Sequence, residues 1–414
     1  MKKKKLAIVL SGGGSRGAYQ MGVWKALKEL NIKYDIVTGT SIGAINGMLM
    51  VQKDYNKCLK AWESVSLKYI YEEQNIDDLE SIEIYKKYFF SFLNEGGVDS
   101  EKIKYVVKKM FNPLKFYFSN IDFGIVTYNI TEKRPVFVKK KEVTKKQLID
   151  FIVASSTCFP AFKSKKIEDD MYIDGGYYDN LPINLAIDMG ATEVIAVDLK
   201  APGFKKKIKN NDVKITIIKP KNKICSFLIF NSEDSKCTIK YGYNDAMKVF
   251  GKLEGNRYTF KNGNLSKNYK NNQEIFRYKL KEILHRNHKN ILEKIISNKL
   301  FSRCLSDDEK VVYECMNEII EDLGKIFKLD DSEIYDINTY NKLLIEAVEK
   351  DINKKDLEIE NNIKLKISNI ANSKELIEFM YRKISNGNIS MSVVNLFPKD
   401  FIKAVYLWTI KENL

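Results

Sequence analysis

Histidine is scarce in this chain, which has only two among 414 residues, His285 and His288. Both lie in one charged segment, LHRNHKN, and none lies in the N-terminal half. A Ser-His-Asp triad needs an imidazole as its base. A serine nucleophile in the N-terminal half would therefore need another base, most simply a carboxylate. The histidine pair lacks an obvious third ligand for a metal ion, so we expect no metal site.

Long apolar runs and paired cysteines are also missing. No stretch approaches the roughly 18 consecutive apolar residues of a membrane-spanning helix, and the apolar run at 6–10 is too short for a signal peptide. The six cysteines include no C-x-x-C pair, which indicates neither a disulfide framework nor a zinc site. We therefore expect a cytoplasmic protein without a signal peptide or membrane span, and leave peripheral membrane contact open.

Charge is plentiful and mostly positive, with a formal net charge of +15. A basic surface can attract nucleic acid or anionic lipid. The lysines are spread along the whole chain, as on solvated helix faces, and we find no zinc finger or aromatic RNA-binding signature. We therefore expect no nucleic-acid partner.

Strand-like and helix-like segments alternate through the N-terminal half. Continuous apolar runs such as 5–11 and 193–199 are typical of strands buried on both faces. This alternation predicts an α/β fold, a three-layer α/β/α sandwich with a mainly parallel sheet. We expect this domain to span 1–260, followed by a polar linker, 261–273, and an all-helical C-terminal domain, 274–414, to which the sequence assigns no role.

The stretch G-T-S-I-G, 39–43, places Ser41 between Gly39 and Gly43 after a short apolar run. A serine on a sharp strand-to-helix turn is exposed to substrate, and such a turn favours neighbours without a Cβ. The same pentapeptide arises by chance in roughly one chain in ten of this length, so it needs support from elsewhere.

The second glycine-rich stretch, S-G-G-G-S-R-G at 11–17, follows the first strand and opens a helix. Backbone N–H groups there can point at an anion, helped by the helix dipole. The anion could be a pyrophosphate, because Gly12, Gly14 and Gly17 fit G-x-G-x-x-G and Asp35 lies near the position of a ribose-binding acid. It could equally be the oxyanion of an acyl-transfer reaction.

The third stretch, D-G-G at 174–176, ends a predicted strand with Asp174. Taken alone it is most simply an ordinary Asp-Gly turn. An exposed aspartate, with a pKa of about 3.9, is a poor base for a hydroxyl. A desolvated aspartate beside the serine is better, because burial raises its pKa.

These three motifs, in this order and spacing, resemble those of the patatin-like phospholipases, lipid acyl hydrolases that use a Ser–Asp dyad. The resemblance covers about residues 5–200 and continues weakly to GYNDAMKVF, 242–250. It implies that Ser41 is the nucleophile and Asp174 its base. It also implies an oxyanion hole formed by Gly12, Gly13 and Gly14, with Arg16 and Gly17 holding the loop. Gly39 and Gly43 would permit the nucleophile elbow, and Gly175 and Gly176 would be the glycine pair after the base.

The expected function is therefore hydrolysis of acyl-lipid esters of the phospholipase A or lysophospholipase type, without metal or cofactor, on membrane phospholipid or another acyl lipid. Two alternatives remain: a nucleotide-binding oxidoreductase that uses 12–17 and Asp35, and a catalytically inactive patatin-like interaction module. The sequence does not predict an oligomeric state. For the C-terminal helix at 398–414 we expect a buried position in its own domain over a lipid anchor.

Overall fold

The computed structural model describes residues 4–65, 99–158, 161–227, 230–285, 299–350 and 373–414. The chain forms two compact units, Met1–Val249 and Phe250–Leu414.

The N-terminal unit is built on an eight-stranded sheet within the described residues. The strands are β1 (Leu6–Leu10), β2 (Ile36–Thr40), β3 (Asp122–Asn129), β4 (Arg134–Lys139), β5 (Lys165–Ile167), β6 (Asp170–Asp174), β7 (Glu193–Val197) and β8 (Lys214–Ile218). Their order in the sheet is β5-β6-β3-β2-β1-β7-β8, with β4 also paired to β3. The pairs β1–β2, β1–β7, β2–β3 and β7–β8 are parallel. The pairs β3–β4, β3–β6 and β5–β6 are antiparallel.

Helices of this unit surround the sheet. They are α1 (Ala18–Glu29), α2 (Ile42–Gln52), α3 (Tyr55–Glu63), α4 (Glu101–Met110), α5 (Pro113–Phe118), α6 (Lys145–Ser155), α7 (Ile183–Asp188) and α8 (Ser232–Val249). Short 3-10 turns occupy Gly14–Gly17 and Gly175–Tyr177. Helix α6 begins with a capping box between Thr144 and Gln147.

Helices cover both faces of the central strands. Alternate residues of each strand point to opposite faces, so both faces contribute side chains to these contacts. On one face, Ala7 and Val9 of β1 belong to an apolar cluster with Ile183 and Ala186 of α7. On the other, Gly47 of α2 lies against Leu10, Val37 and Phe123. The predicted three-layer α/β/α architecture with a mainly parallel sheet is confirmed.

The C-terminal unit is mainly helical. Its helices are α9 (Asn264–His285), α10 (Lys299–Cys304), α11 (Glu309–Ile326), α12 (Ile337–Glu349), α13 (Ser373–Ser385), α14 (Met391–Leu396) and α15 (Pro398–Glu412). A small sheet joins β9 (Leu253–Glu254), β10 (Thr259–Lys261) and β11 (Ile334–Tyr335). The predicted helical character of the C-terminal domain is confirmed, and this sheet of two- and three-residue strands adds to its helices.

The predicted linker at 261–273 is wrong, since α9 begins inside it at Asn264. Its polar composition misleads because asparagines occupy the buried face of the helix. Asn268 and Asn272 are 2% and 4% exposed. Asn268 Nδ2 donates to the Tyr406 hydroxyl at 2.9 Å, and Asn272 Nδ2 donates to the Asn268 carbonyl oxygen at 2.9 Å. Hydrogen bonds thus satisfy buried side chains that hydropathy assigns to solvent.

Helix α15 is a core element of its unit, as expected. Phe401, Ile402, Val405 and Leu407 are fully buried, and the Phe401 ring stacks on Phe301 with centroids 5.9 Å apart. Among the described helices, none combines the length and the apolar character that crossing a membrane requires.

Candidate active site

Ser41 lies on a sharp turn between β2 and α2, in a backbone conformation that non-glycine residues rarely adopt. Its φ is 57° and its ψ is −129°. Two glycines make the turn possible: a Cβ at Gly39 would lie 2.3 Å from the Gly43 carbonyl oxygen, and a Cβ at Gly43 would lie 2.4 Å from the Leu10 carbonyl oxygen. Such strain is retained where the surrounding structure imposes it, often at functional sites. The geometry is that of a nucleophile elbow.

The strand register brings Asp174 to Ser41 from the far side of β3. Thr40, the last residue of β2, pairs with Val126 of β3. The next residue of β3, Thr127, pairs with Asp174, the last residue of β6. Ser41 and Asp174 therefore leave the sheet at the same level on either side of one strand. The Ser41 side chain lies close enough to Asp174 to lower the pKa of its carboxyl group.

Asp174 is a buried carboxyl group, with 4% of its surface exposed. Desolvation raises its pKa from 3.8 to about 6, although the hydrogen bond from the Gly176 N–H and the nearby Ser41 hydroxyl oppose this shift. The Gly176 N–H donates to Asp174 Oδ1 at 2.7 Å, and the preceding Gly175 lies against the Val126 carbonyl group. A carboxylate with this pKa can accept a proton near neutral pH.

The glycine-rich stretch after β1 borders Ser41, since a Cβ at Gly12 would lie 2.9 Å from the Ser41 Cβ. The Gly12 N–H is already engaged and donates to the Asn180 carbonyl oxygen at 3.1 Å. Within the described ranges, the N–H groups of Gly13 and Gly14 donate no hydrogen bond. Of the three glycines predicted to bind an oxyanion, these two have N–H groups available.

Arg16 and Gly17 connect this stretch to neighbouring segments. Arg16 Nε donates to the Cys225 carbonyl oxygen at 3.0 Å, and Arg16 Nη1 donates to the Lys200 carbonyl oxygen at 2.8 Å. A Cβ at Gly17 would lie 2.5 Å from Ile42 Cγ1 of α2. Both residues act by positioning the loop, because the Arg16 guanidinium is occupied by main-chain carbonyl groups.

Two serines at the end of α6 hold the main chain of Ser41, and no sequence motif marks them. The Ser41 N–H donates to Ser155 Oγ at 3.0 Å, and Ser155 Oγ donates to the Val126 carbonyl oxygen at 2.7 Å. Ser156 Oγ donates to the Ser41 carbonyl oxygen at 3.1 Å. In the sequence the pair Ser155–Ser156 is only a polar helix end, and Ser41 lies more than a hundred positions away along the chain.

A buried amide pair connects α2 to the glycine-rich stretch, again unforeseen. Asn46 Nδ2 donates to the Gly17 carbonyl oxygen at 3.0 Å and to Gln20 Oε1 at 2.8 Å. Gln20 Nε2 donates to the Ser11 carbonyl oxygen at 2.8 Å. Asn46 Oδ1 accepts from Trp62 Nε1 at 3.1 Å. This network fixes the distance between the helix that begins after Ser41 and the loop facing it.

Asp35 does not lie where the nucleotide-binding alternative needs an acidic residue. Asp35 precedes β2, and its Oδ2 accepts from the Leu6 N–H at 3.0 Å. Leu6 begins β1, whereas the glycine-rich stretch follows the other end of that strand. Asp35 therefore lies at the opposite edge of the sheet from the position that a ribose-binding acid needs. Within the described ranges, no group of three or more His, Cys, Asp or Glu side chains could hold a metal ion.

The comparison with known families agrees with this geometry. Residues 8–187 match the sequence model of the patatin-like phospholipase family. This part of the chain belongs to that family. The patatin-like domain thus contains all three motifs and lies within the N-terminal unit.

Curated relatives match just under half of this chain. A patatin-like phospholipase domain-containing protein 7 of Rattus norvegicus is 29% identical over 212 residues, which cover 47% of this chain and 13% of the rat protein. A lysophospholipase nte1 of Aspergillus terreus is 28% identical over 201 residues, 47% of this chain and 12% of the fungal protein. The chain thus spans about an eighth of the length of these relatives. The crystal structure of VipD from Legionella pneumophila aligns with 97% of this chain and 91% of VipD, at 13% identity and a TM-score of 0.38.

Proposed function

We propose that this protein is a lipid acyl hydrolase that uses Ser41 as nucleophile and Asp174 as base. The observation that carries the proposal is the position of Ser41, which stands on a strained turn beside the buried carboxyl group of Asp174. Within the patatin-like domain, that carboxyl group takes the place of an imidazole. The scarcity of histidine in the sequence supports the same assignment.

The raised pKa of Asp174 suits a base. With a pKa of about 6, roughly nine in ten Asp174 carboxyl groups are ionised at pH 7, and each accepts a proton more readily than a carboxylate in water. Burial thus narrows the difference in pKa between the aspartate and the serine hydroxyl.

The reaction proceeds in two steps through an acyl-enzyme. Ser41 Oγ attacks the ester carbonyl carbon while its proton passes to Asp174, and the carbonyl oxygen becomes an oxyanion. The N–H groups of Gly13 and Gly14 donate to that oxyanion. The C–O bond to the leaving alcohol breaks as Asp174 returns the proton to it. A water molecule, deprotonated by Asp174, then attacks the acyl group, and Ser41 regains its proton as the fatty acid leaves.

The substrate class follows from the family and from the names of the relatives. The fungal relative is named a lysophospholipase, and the family is that of patatin-like phospholipases. We therefore propose phospholipids or lysophospholipids as substrates, with a membrane or micelle surface as their source.

Product analysis tests this function directly. The full chain is incubated with mixed phospholipids and lysophospholipids, and released fatty acids are identified by mass spectrometry. The wild-type protein should release fatty acid, and Ser41→Ala and Asp174→Asn should each reduce the rate by several orders of magnitude, with the double variant barely worse than either. If the folded wild-type protein releases no fatty acid from any of these lipids, the inactive interaction module replaces the hydrolase.

A further inference from the structure

A lysine-rich loop with an exposed aromatic side chain lies beside the candidate dyad. We call residues 200–209 the rim loop. Its Phe204 is 66% exposed, yet its main chain is fixed. The Phe204 N–H donates to the Gly176 carbonyl oxygen at 2.9 Å, and its carbonyl oxygen accepts from the Asn180 N–H at 2.6 Å. Phe204 is thus attached to the segment that begins with Asp174.

The rim loop also approaches Ser41 through Asn180. A Cβ at Gly203 would lie 2.8 Å from the Asn180 Cβ, and a Cβ at Gly12 would lie 2.3 Å from Asn180 Oδ1. Since Gly12 itself borders Ser41, the exposed face of the rim loop belongs to the edge of the site.

Further hydrogen bonds hold the lysine-rich part of the rim loop. The Lys206 N–H donates to Asp179 Oδ1 at 3.5 Å. Asn184 Nδ2 donates to the Lys207 carbonyl oxygen at 2.9 Å, and the Lys209 N–H donates to Asn184 Oδ1 at 2.9 Å. A loop ordered in this way loses little conformational entropy when it binds a partner.

The charge of the rim loop is strongly positive. Residues 198–209 contain five lysines and one aspartate, a formal net charge of +4. The aspartate, Asp198, is paired with Lys205 at 2.6 Å. Lys206 lies over the Tyr178 ring, with Nζ 3.7 Å from the ring centroid, and it remains exposed together with Lys207 and Lys209.

We propose that the rim loop, together with the 40% exposed Tyr177, docks the protein on an anionic phospholipid surface. Exposed aromatic side chains with lysines around them match a lipid interface, where rings enter the headgroup region and lysines meet anionic lipids. Docking there places the Ser41–Asp174 site at the surface that supplies its substrate. The choice of lipid as partner rests on the proposed function.

Vesicle binding by the full chain tests this docking. Co-sedimentation is measured with phosphatidylcholine vesicles and with vesicles that also contain phosphatidylglycerol. The wild-type protein should prefer the anionic vesicles. Because each lysine near an anionic surface contributes about fivefold in affinity, the triple variant Lys206→Gln, Lys207→Gln, Lys209→Gln should bind on the order of 100-fold more weakly. Phe204→Ser should bind roughly tenfold more weakly.

Matched controls come from the other end of α2, roughly 16 Å from Ser41. There the Met110 carbonyl oxygen accepts from Gln52 Nε2 at 3.2 Å. Lys108 and Lys109 of α4 and Lys53, which follows α2, are exposed, and Phe118 is 83% exposed. Changing these three lysines to glutamine, or Phe118→Ser, should alter vesicle binding less than twofold.

Hydrolysis of a soluble short-chain ester separates the docking from the chemistry. The rim-loop variants should hydrolyse the soluble ester within twofold of wild type. Any of three results overturns the docking proposal. The first is that wild type binds both vesicle types equally, and the second is that control and rim-loop variants lose vesicle binding to the same extent. The third is that Phe204→Ser binds anionic vesicles as tightly as wild type does, while heparin binds to the rim-loop lysines as tightly as the vesicles do. Anionic-vesicle binding without ester hydrolysis would overturn the proposed function and retain the docking surface.

Discussion

Replacing Asp174 with asparagine should stabilise the N-terminal unit while it removes the catalytic base. Asparagine has the same shape, and its Oδ1 can still accept from the Gly176 N–H, which donates to Asp174 Oδ1 at 2.7 Å. The ionised carboxylate is disfavoured by burial, which raises its pKa from 3.8 to about 6. At 1.36 kcal/mol per pKa unit, the charge costs about 3 kcal/mol of folding free energy at pH 7.

The gain should depend on pH in a defined direction. Because folding raises the pKa of Asp174 from 3.8 to about 6, the folded protein binds more protons than the unfolded chain between these values. Wild-type stability therefore falls as the pH rises through this window. The advantage of Asp174→Asn should be largest above pH 6, roughly half as large at pH 5, and absent below the unfolded pKa.

Thermal unfolding followed by circular dichroism measures this difference. For a unit of this size, about 3 kcal/mol corresponds to a Tm increase of about 6–12 °C at pH 7. The matched control is Asp212→Asn, since Asp212 is an exposed aspartate of the same unit, and its Tm should stay within about 1 °C of wild type. A Tm at or below the wild-type value for Asp174→Asn, or a pH-independent increase, would refute the reasoning about its burial.

Three further predictions concern the pH profile, a serine that supports Ser41 and the core of the C-terminal unit. For a soluble ester, kcat/KM should fall about tenfold per pH unit below an apparent pKa of about 6 as Asp174 is protonated; a profile flat down to pH 4 would contradict its role as base. Ser155→Ala should lower kcat more than tenfold and stability by about 1–3 kcal/mol, because the Ser41 N–H loses its acceptor. The control is Ser64→Ala at an exposed position, and equal kcat values for Ser155→Ala and wild type would exclude the positioning role. Phe401→Ala should destabilise the C-terminal unit by about 3–5 kcal/mol in urea unfolding, since Phe401 is fully buried; a change below about 1 kcal/mol would contradict its place in the core.

Local sequence was sufficient to predict the turn at Ser41 and the layered class of the fold. The apolar run before Ser41 and its flanking glycines are contiguous in the chain, so the turn that they form is encoded within a few residues. Strand and helix alternation likewise predicted the layered architecture. The antiparallel placement of β6 was not predicted, although it is this register that brings Asp174 to the level of Ser41.

The supporting contacts could not be predicted because they join distant segments through ordinary residue types. Ser155 lies 114 positions from Ser41, and Asn46 lies 26 positions from Gln20. Neither residue stands in a recognisable motif. The first part of helix α9, before residue 274, was not predicted for a related reason. Its buried face carries Asn268 and Asn272, which form hydrogen bonds in place of apolar contacts.

Covalent labelling of the nucleophile tests the central proposal most directly. The full chain is treated with a fluorophosphonate, which reacts with activated serines, and the modified peptide is identified by tandem mass spectrometry. We predict one adduct, on Ser41, absent from Ser41→Ala and strongly slowed in Asp174→Asn. An adduct on a different serine, or lipid hydrolysis that continues undiminished in Ser41→Ala, would contradict the assignment of Ser41 as nucleophile.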